Sequence, residues 1–136
     1  MRFEHQLRVR FGECDPQGIV FNAHYVAWFD VALTELWREA LGSWSTMVSR
    51  GVDAVVAHLE VDFHAPARAD ELVTLGVHVE SFGTTSLRTT VDVTRDGEAL
   101  VVGHLRHVFV DAHTWQKVAI PDWIREGLGP YRVAAS

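Results

Sequence analysis

Asp15 is the carboxylate whose position in the sequence best suits catalysis. Asp15 opens the segment Asp15-Pro16-Gln17-Gly18, which fits a β-turn, and a helical pattern begins soon afterwards at about Asn22. An aspartate side chain is ordinarily ionised at neutral pH and can act as a base or a nucleophile. The first N–H groups of a helix lack intrahelical partners and can hold an oxyanion. Together these features suit a hydrolytic centre, although Asp before Pro is also ordinary turn chemistry.

The histidines are a weaker indication of a functional site. The chain has eight of them, but no His-Glu-x-x-His motif. His58 and His64 share one face of a predicted strand with Glu60 and Asp62, and we interpret this as a solvated or interface face. We therefore predict no metal ion.

The elements that must position Asp15 are one helix and five strands. Alternation from Phe3 to Phe11 predicts the first strand. Asn22 is a good N-cap, and Gly42 is a plausible C′ residue. The helix between them has an apolar stripe at helical spacing, formed by Asn22, Val26, Phe29, Leu33, Leu36, Trp37 and Ala40.

Four further strands follow the helix. The second runs from Gly51 to Ala65, and Pro66 interrupts it. The third carries Val73 to Val79 on its core face, the fourth carries Leu87, Val91 and Val93, and the fifth runs from about Glu98 to Asp111. Hairpins join the last three strands, and Asp96-Gly97 is the strongest turn signal among them. A short helix from Asp122 to Gly127 is predicted near the end.

Composition narrows the class of protein. The 136 residues suit one domain, 1–136, and a net charge of −6 without a Lys/Arg cluster argues against a nucleic-acid partner. No apolar run approaches a membrane span, and the first residues lack the pattern of a signal peptide. A single cysteine, Cys14, indicates a reducing compartment, so we expect a cytoplasmic protein. Five Trp and seven Phe suggest a large buried surface, including a subunit interface.

The stretch from Arg10 to Leu36 resembles a known family. In hotdog-fold acyl-CoA thioesterases of the 4-hydroxybenzoyl-CoA thioesterase type, R-[FY]-x-[ED]-x-D-x-x-G-x-V leads into N-x-x-Y-x-x-[WY]-[FLM]-[ED]. The matching residues here are Arg10, Phe11, Glu13, Asp15, Gly18, Val20, Asn22, Tyr25, Trp28, Phe29 and Asp30. The resemblance continues more loosely in VDFHAPARADELV and covers residues 3 to about 111. It implies an α+β hotdog fold, with one long central helix wrapped by a five-stranded antiparallel sheet.

The resemblance also implies roles for individual residues. Asp15 aligns with the carboxylate that attacks the thioester carbonyl or activates water, and the backbone N–H of Asn22 aligns with the donor that polarises this carbonyl. Trp28 and Asp30 are expected near the acyl group, and the segments 64–68 and 84–88 near the pantetheine and nucleotide. The expected substrate-binding residues are Gly18, Val20, Trp28, Asp30, His64, Arg68, Thr84, Thr85, Ser86 and Arg88.

The implied activity is hydrolysis of an acyl-CoA to a carboxylic acid and free CoA, at a cleft between two subunits. The protein would be a homo-oligomer, either a dimer or a tetramer built as a dimer of dimers. Coenzyme A is part of the substrate, so no cofactor is expected. One alternative is a hotdog hydratase or dehydratase, for which His24 is the only histidine close in sequence to Asp15. The other is a non-catalytic acyl-thioester binding module in which Asp15 is only a turn residue.

Overall fold

The structure, a computed structural model, describes residues 1–133 as one antiparallel sheet with helices. The strands are β1 (Phe3–Arg8), β2 (Val52–Phe63), β3 (Leu72–Phe82), β4 (Ser86–Arg95) and β5 (Glu98–Asp111), in the order β1-β3-β4-β5-β2. The helices are α1 (Asn22–Leu41), α2 (Trp44–Ser49) and α3 (Asp122–Leu128), and 3-10 turns lie at Phe11–Glu13 and Gly129–Tyr131.

Local turn chemistry sets the hairpins of the sheet. Asp96 and Gly97 have φ of +52° and +81° between the paired residues Arg95 and Glu98, as a two-residue turn between strands requires. The predicted hairpins joining β3, β4 and β5 are confirmed, as are the bounds of β5. The prediction for β2 was two residues too long at its end, because the strand stops at Phe63.

The first predicted strand was also too long. It ends at Arg8, and the chain then enters the 3-10 turn Phe11–Glu13, in which Phe11 is 82% exposed. Val9 remains buried because its backbone pairs with the segment before β3, where its N–H donates to the Glu71 carbonyl at 2.8 Å. This early break in the strand frees residues 10–21 to form the loop that carries Asp15.

Helix α1 is 20 residues long and buries one side against the sheet. The buried residues are Tyr25, Trp28, Phe29, Ala32, Leu33, Leu36, Trp37 and Leu41. The predicted stripe was wrong at Val26, which is 41% exposed, and at Asn22, which is also exposed. The helix is turned so that Tyr25 and Trp28 lie inward, and Val26 and Val31 lie on the outer side.

A glycine on β5 shows how closely α1 lies on the sheet. A Cβ added at Gly103 would meet the Phe29 ring at 2.5 Å, and Phe29 itself is fully buried. The helix therefore rests on β5 at a point where only glycine fits.

Replacing Gly103→Ala should destabilise the protein by about 1–3 kcal/mol, since Phe29 or the backbone of β5 must move. The matched control is Gly129→Ala, because no heavy atom lies within 4 Å of its added Cβ. We expect that control to stay within about 0.5 kcal/mol of the parent in urea unfolding. Equal effects of the two changes would contradict this packing.

Candidate functional site

The Asp15 turn has the predicted geometry. The Gly18 N–H donates to the Asp15 carbonyl at 2.9 Å, and Gly18 takes a φ of +79°. The Asp15 Oδ1 accepts from the Gln17 N–H at 2.8 Å, an arrangement that fixes the side chain against its own turn. Among residues 1–133, no hydrogen bond engages the second carboxylate oxygen. The turn therefore presents a half-buried carboxylate with one oxygen free.

Backbone pairing holds this turn beside the start of α1. The Asp15 N–H donates to the Ile19 carbonyl at 2.9 Å, and Cys14 forms an isolated antiparallel bridge with Val20. The Phe21 N–H then donates to the Glu13 carbonyl at 2.9 Å. The loop from Glu13 to Phe21 is therefore closed on itself, and its two ends keep Asp15 next to the helix.

Glu13 ties this loop to the body of the helix. Its carboxylate accepts from Trp28 Nε1 at 2.7 Å and from the Arg10 N–H at 2.8 Å, and the residue is 5% exposed. Burial alone would raise the pKa of the Glu13 carboxyl, but the hydrogen bonds from Arg10 and Trp28 outweigh burial and hold the pKa below its usual value. Glu13 is thus a buried, ionised anchor for the loop.

The helix start differs from the predicted cap. Asn22 is the first helical residue and Phe21 occupies the N-cap position, with no side-chain cap hydrogen bond. Asn22 was therefore wrongly predicted as the N-cap. Within the described part of the chain, the N–H groups of Asn22 and Ala23 have no acceptor, whereas the His24 N–H donates to the Phe21 carbonyl. Two free amides thus lie at the end of α1 that carries its positive dipole.

A cavity of about 240 Å³ lies beside these amides. We call it the Asn22 cavity; its lining is Ile19, Val20, Asn22, Tyr25, Phe63, His64, Ala65 and Pro66. The buried Tyr25 hydroxyl accepts from the Ala67 N–H at 3.2 Å, and its ring packs edge-to-face on Phe63. Burial raises the pKa of Tyr25, which keeps this hydroxyl neutral.

Several of the predicted site residues come together around this cavity. Val20 and His64 line it. Arg68 is exposed nearby and forms an isolated bridge with Ile19. Gly18 lies one residue before Ile19 in the Asp15 turn. One end of the sheet therefore gathers Asp15, Gly18, Val20, Asn22, His64 and Arg68.

The segment 84–88 is not part of this group within one chain. It lies at the opposite end of β3, because Leu72 pairs with Arg8 near the Asp15 loop while Phe82 pairs with Leu87. The turn of Thr84, Thr85 and Ser86 is instead hydrogen-bonded to the segment after β5, where the Ile120 N–H donates to the Thr84 carbonyl at 2.8 Å and Arg125 donates to the Gly83 carbonyl at 2.6 Å. Arg88 is exposed in a separate cavity with His58 and Arg106.

The two predicted residues on α1 have different surroundings. Trp28 is 3% exposed and engaged by Glu13, so its place is in the interior of its own chain. Asp30 is exposed and lines a second cavity, of about 290 Å³, between α1, α2, β2 and β5. We call this the His107 cavity; its lining is Asp30, Leu33, Thr34, Trp37, Trp44, Ala54, Val56 and His107.

Comparison with known proteins places this geometry in a family. The family model described as Thioesterase superfamily matches residues 17–102, which include the end of the Asp15 turn, all of α1 and most of the sheet. The chain belongs to the thioesterase superfamily. Its α+β architecture with a five-stranded antiparallel sheet is the hotdog fold of that superfamily, so the resemblance read from the sequence is confirmed.

Individual superfamily members show how far the likeness extends. The acyl-CoA thioester hydrolase YbgC of Escherichia coli is 33% identical over 85 residues, which are 62% of this chain and 63% of that protein. The 4-hydroxybenzoyl-CoA thioesterase of Pseudomonas sp. (strain CBS-3) is 34% identical over 73 residues, which are 52% of each chain. The crystal structure of a thioesterase superfamily protein from Jannaschia sp. CCS1 superposes with a TM-score of 0.92 at 28% identity, covering 97% of this chain and 94% of that one.

Residues 1–133 contain neither a metal-binding cluster nor a membrane-spanning helix. No group of three or more His, Cys, Asp or Glu side chains there has the arrangement to hold a metal ion. None of the helices in that range is both long and apolar enough to cross a membrane.

Sequence reasoning gave no site role to Glu13, Tyr25 or His107. Glu13 and Tyr25 both belong to the motif Arg10–Asp30, which was the available signal for them. His107 carries no local signal, since it reaches its cavity only through the pairing of β5 with β2 and the packing of α1.

Glu13→Ala should destabilise the protein by about 2–4 kcal/mol, because it leaves the buried Trp28 N–H and the Arg10 N–H without an acceptor. The matched control is Glu4→Ala, whose side chain also pairs with an arginine, Arg2 at 3.1 Å, but is 57% exposed. That change should cost under about 1 kcal/mol. Urea unfolding measures both changes in the free energy of unfolding. A loss for Glu13→Ala as small as that for Glu4→Ala would contradict the structural role of Glu13.

Proposed function

We propose that this superfamily member hydrolyses an acyl-CoA to a carboxylic acid and free coenzyme A. The observation that carries the proposal is the closed loop from Glu13 to Phe21, which brings the Asp15 turn back to the end of α1 where the N–H groups of Asn22 and Ala23 are free. A carboxylate, unpaired amides and a cavity that adjoins those amides are the parts that acyl transfer to water needs. The names of YbgC and of the 4-hydroxybenzoyl-CoA thioesterase support the same reaction class.

In the proposed reaction, Asp15 either attacks the thioester carbonyl or takes a proton from the water that attacks it. The carbonyl oxygen becomes an oxyanion, and the Asn22 N–H donates to it; one such donor contributes about 3–4 kcal/mol in known hydrolases. The C–S bond then breaks and the thiolate leaves with a proton from the site or solvent. If Asp15 is the nucleophile, water next cleaves the acyl-aspartyl anhydride and regenerates the carboxylate.

The proposal includes assembly of two copies into one working unit. Helix α1 has a second stripe, on the side away from the sheet, in which Ala23, Val26, Ala27, Asp30 and Val31 are all exposed. Beside it lies β2, a 12-residue strand at the edge of the sheet, with Val56 53% and Phe63 52% exposed. An apolar stripe next to a long unpaired edge suits self-association, since the edge can pair with its own copy.

Two-fold pairing of this kind would also complete the site. If the two α1 helices run antiparallel around Val26 and Ala27, Asn22 of one copy comes opposite the partner's Asp30 at the mouth of the His107 cavity. The thioester would then lie at the Asn22 cavity of one copy, and its acyl part would enter the His107 cavity of the other. A dimer, or a tetramer built from two such dimers, is therefore the proposed form, acting in the cytoplasm.

The remaining site residues have places in this proposal. His64 and Arg68 flank the Asn22 cavity and would contact the pantetheine arm of coenzyme A. The segment from Thr84 to Arg88 lies too far along β3 to help within its own chain, so any contact with the nucleotide would come from another copy in the assembly.

Asp15→Asn should lower kcat by about 10²–10⁴-fold in a thiol-release assay, because the amide can neither attack nor take a proton. Asparagine keeps an oxygen for the Gln17 N–H, so the turn, the unfolding transition and the oligomeric state should stay as in the parent. The assay uses a panel of short, long and aromatic acyl-CoAs.

The matched control is Asp96→Asn, which makes the same change of charge at an exposed turn in the β4–β5 hairpin. It should retain full activity. An Asp15→Asn variant as active as this control would rule out the proposed role of Asp15. Saturable binding of acyl-CoA without thiol release by the parent would favour a non-catalytic binding module.

A further inference from the structure

The connection between β2 and β3 forms part of the wall of the Asn22 cavity. It comprises residues 64–71, which form neither helix nor strand, and His64, Ala65 and Pro66 line the cavity. Such a connection lacks the regular hydrogen bonds of a helix or strand, so its position depends on the groups that bond to its backbone. We call its second part, residues 66–71, the 66–71 segment.

One arginine and one glutamate hold both ends of the 66–71 segment. Arg95, the last residue of β4, donates from Nη1 to the Pro66 carbonyl at 3.2 Å and to the two carboxylate oxygens of Glu71 at 2.9 and 3.0 Å. The Glu71 Oε1 also accepts from the Arg68 N–H at 2.5 Å. Ala67 therefore lies between two residues whose backbone groups are bonded to this ion pair.

Ala67 joins the 66–71 segment to both parts of the candidate site. Its N–H donates to the Tyr25 hydroxyl on α1 at 3.2 Å, and its carbonyl accepts from the Val20 N–H at 2.9 Å. The residue is fully buried. Val20 belongs to the closed loop that carries Asp15, so a shift of Ala67 would move the acceptor that holds this loop.

The exposure of the ion pair indicates a local role. The side chains of Arg95 and Glu71 are 21% and 29% exposed, and partly exposed pairs contribute little to the free energy of unfolding. Engagement of both carboxylate oxygens instead fixes the geometry of the pair. Removing either side chain should therefore loosen the 66–71 segment while the sheet stays folded.

We infer that Arg95 and Glu71 are positioning residues for the proposed hydrolysis: their ion pair fixes the 66–71 segment, which holds the Asp15 loop through Ala67. The inference rests on the proposed function, because that reaction depends on where Asp15 lies relative to the free amides of α1. Neither side chain lines the Asn22 cavity, so both act through the loop and not on the substrate. Their effect should therefore appear in kcat.

The test measures kcat and KM of Arg95→Met and Glu71→Ala by thiol release, well below the unfolding transition. Methionine keeps an unbranched stem but cannot donate a hydrogen bond. Both variants should lose roughly tenfold or more in kcat, because small misplacements of a catalytic group cost up to about a hundredfold in rate. KM should stay within about threefold of the parent. Arg95→Lys keeps a charged donor and should recover part of the lost kcat.

The matched control is Glu98→Ala. Glu98 is the other carboxylate beside Arg95, with its Oε2 at 3.8 Å from Nη2, and its side chain is 60% exposed. Removing it leaves the bonds from Arg95 to Pro66 and Glu71 in place, so kcat should equal that of the parent. A parental kcat in Arg95→Met and Glu71→Ala, an equal loss in Glu98→Ala, or a rise in KM alone would overturn the inference.

Hydrogen exchange keeps this inference apart from the proposed reaction. The N–H groups of Val20 and Ala67 report on the two bonds of Ala67, and NMR measures their exchange without substrate. Both should exchange roughly tenfold faster or more in Arg95→Met, while amides along the β4–β5 pairing keep parental rates. If the parent releases no thiol from any acyl-CoA, the proposed function fails, and exchange still tests the role of Arg95. Unchanged exchange at Val20 and Ala67 would overturn that role.

Discussion

The buried carboxylate of Glu13 accepts hydrogen bonds from both sides of the candidate site. On one side it holds the Arg10 N–H, where the first strand has ended and the loop begins, and on the other it holds the indole N–H of Trp28, two turns into α1. A buried charge is tolerated only where its oxygens are hydrogen-bonded, so each of these contacts depends on the other elements being in place. Glu13 thereby fixes the distance between the Asp15 turn and the helix start. The proposed chemistry of the site depends on that distance.

The two sides of helix α1 have different surroundings. The inner side rests on the sheet, where Gly103 makes room for Phe29. The outer side, which includes Val26 and Asp30, is left open beside the edge strand β2. The same rotation of the helix produces both results, because turning Trp28 inward to Glu13 turns Val26 outward. Within one chain, the Asp15 carboxylate therefore lies near the start of α1. The His107 cavity lies further along the same helix, beside residues Asp30 to Trp37.

The sequence predicted best those structural features that depend on a few neighbouring residues. The turn at Asp15 and the hairpin at Asp96-Gly97, after which β5 begins, follow from backbone preferences of a few residues. The inner side of α1 was harder to predict, since Val26 and Trp28 are both apolar and the choice depends on Glu13, fifteen residues away from Trp28. The separation of Thr84–Arg88 from Asp15 is set by the register of β3, which side-chain types do not reveal. The His107 cavity depends on four elements at once, and Asp30 is the one lining residue to which the resemblance had pointed.

The central claim is that a working site joins the Asp15 loop of one copy to the His107 cavity of the other. The most direct measurement co-expresses two differently tagged variants, Asp15→Asn and Thr34→Trp, the latter filling the cavity from α1, and isolates the mixed dimer. Each variant alone should be nearly inactive. In the mixed dimer one site carries both defects and the other carries neither, so about half of the parental activity per dimer should return. A mixed dimer as inactive as either variant alone would show that each site is built within a single chain, and would contradict the account.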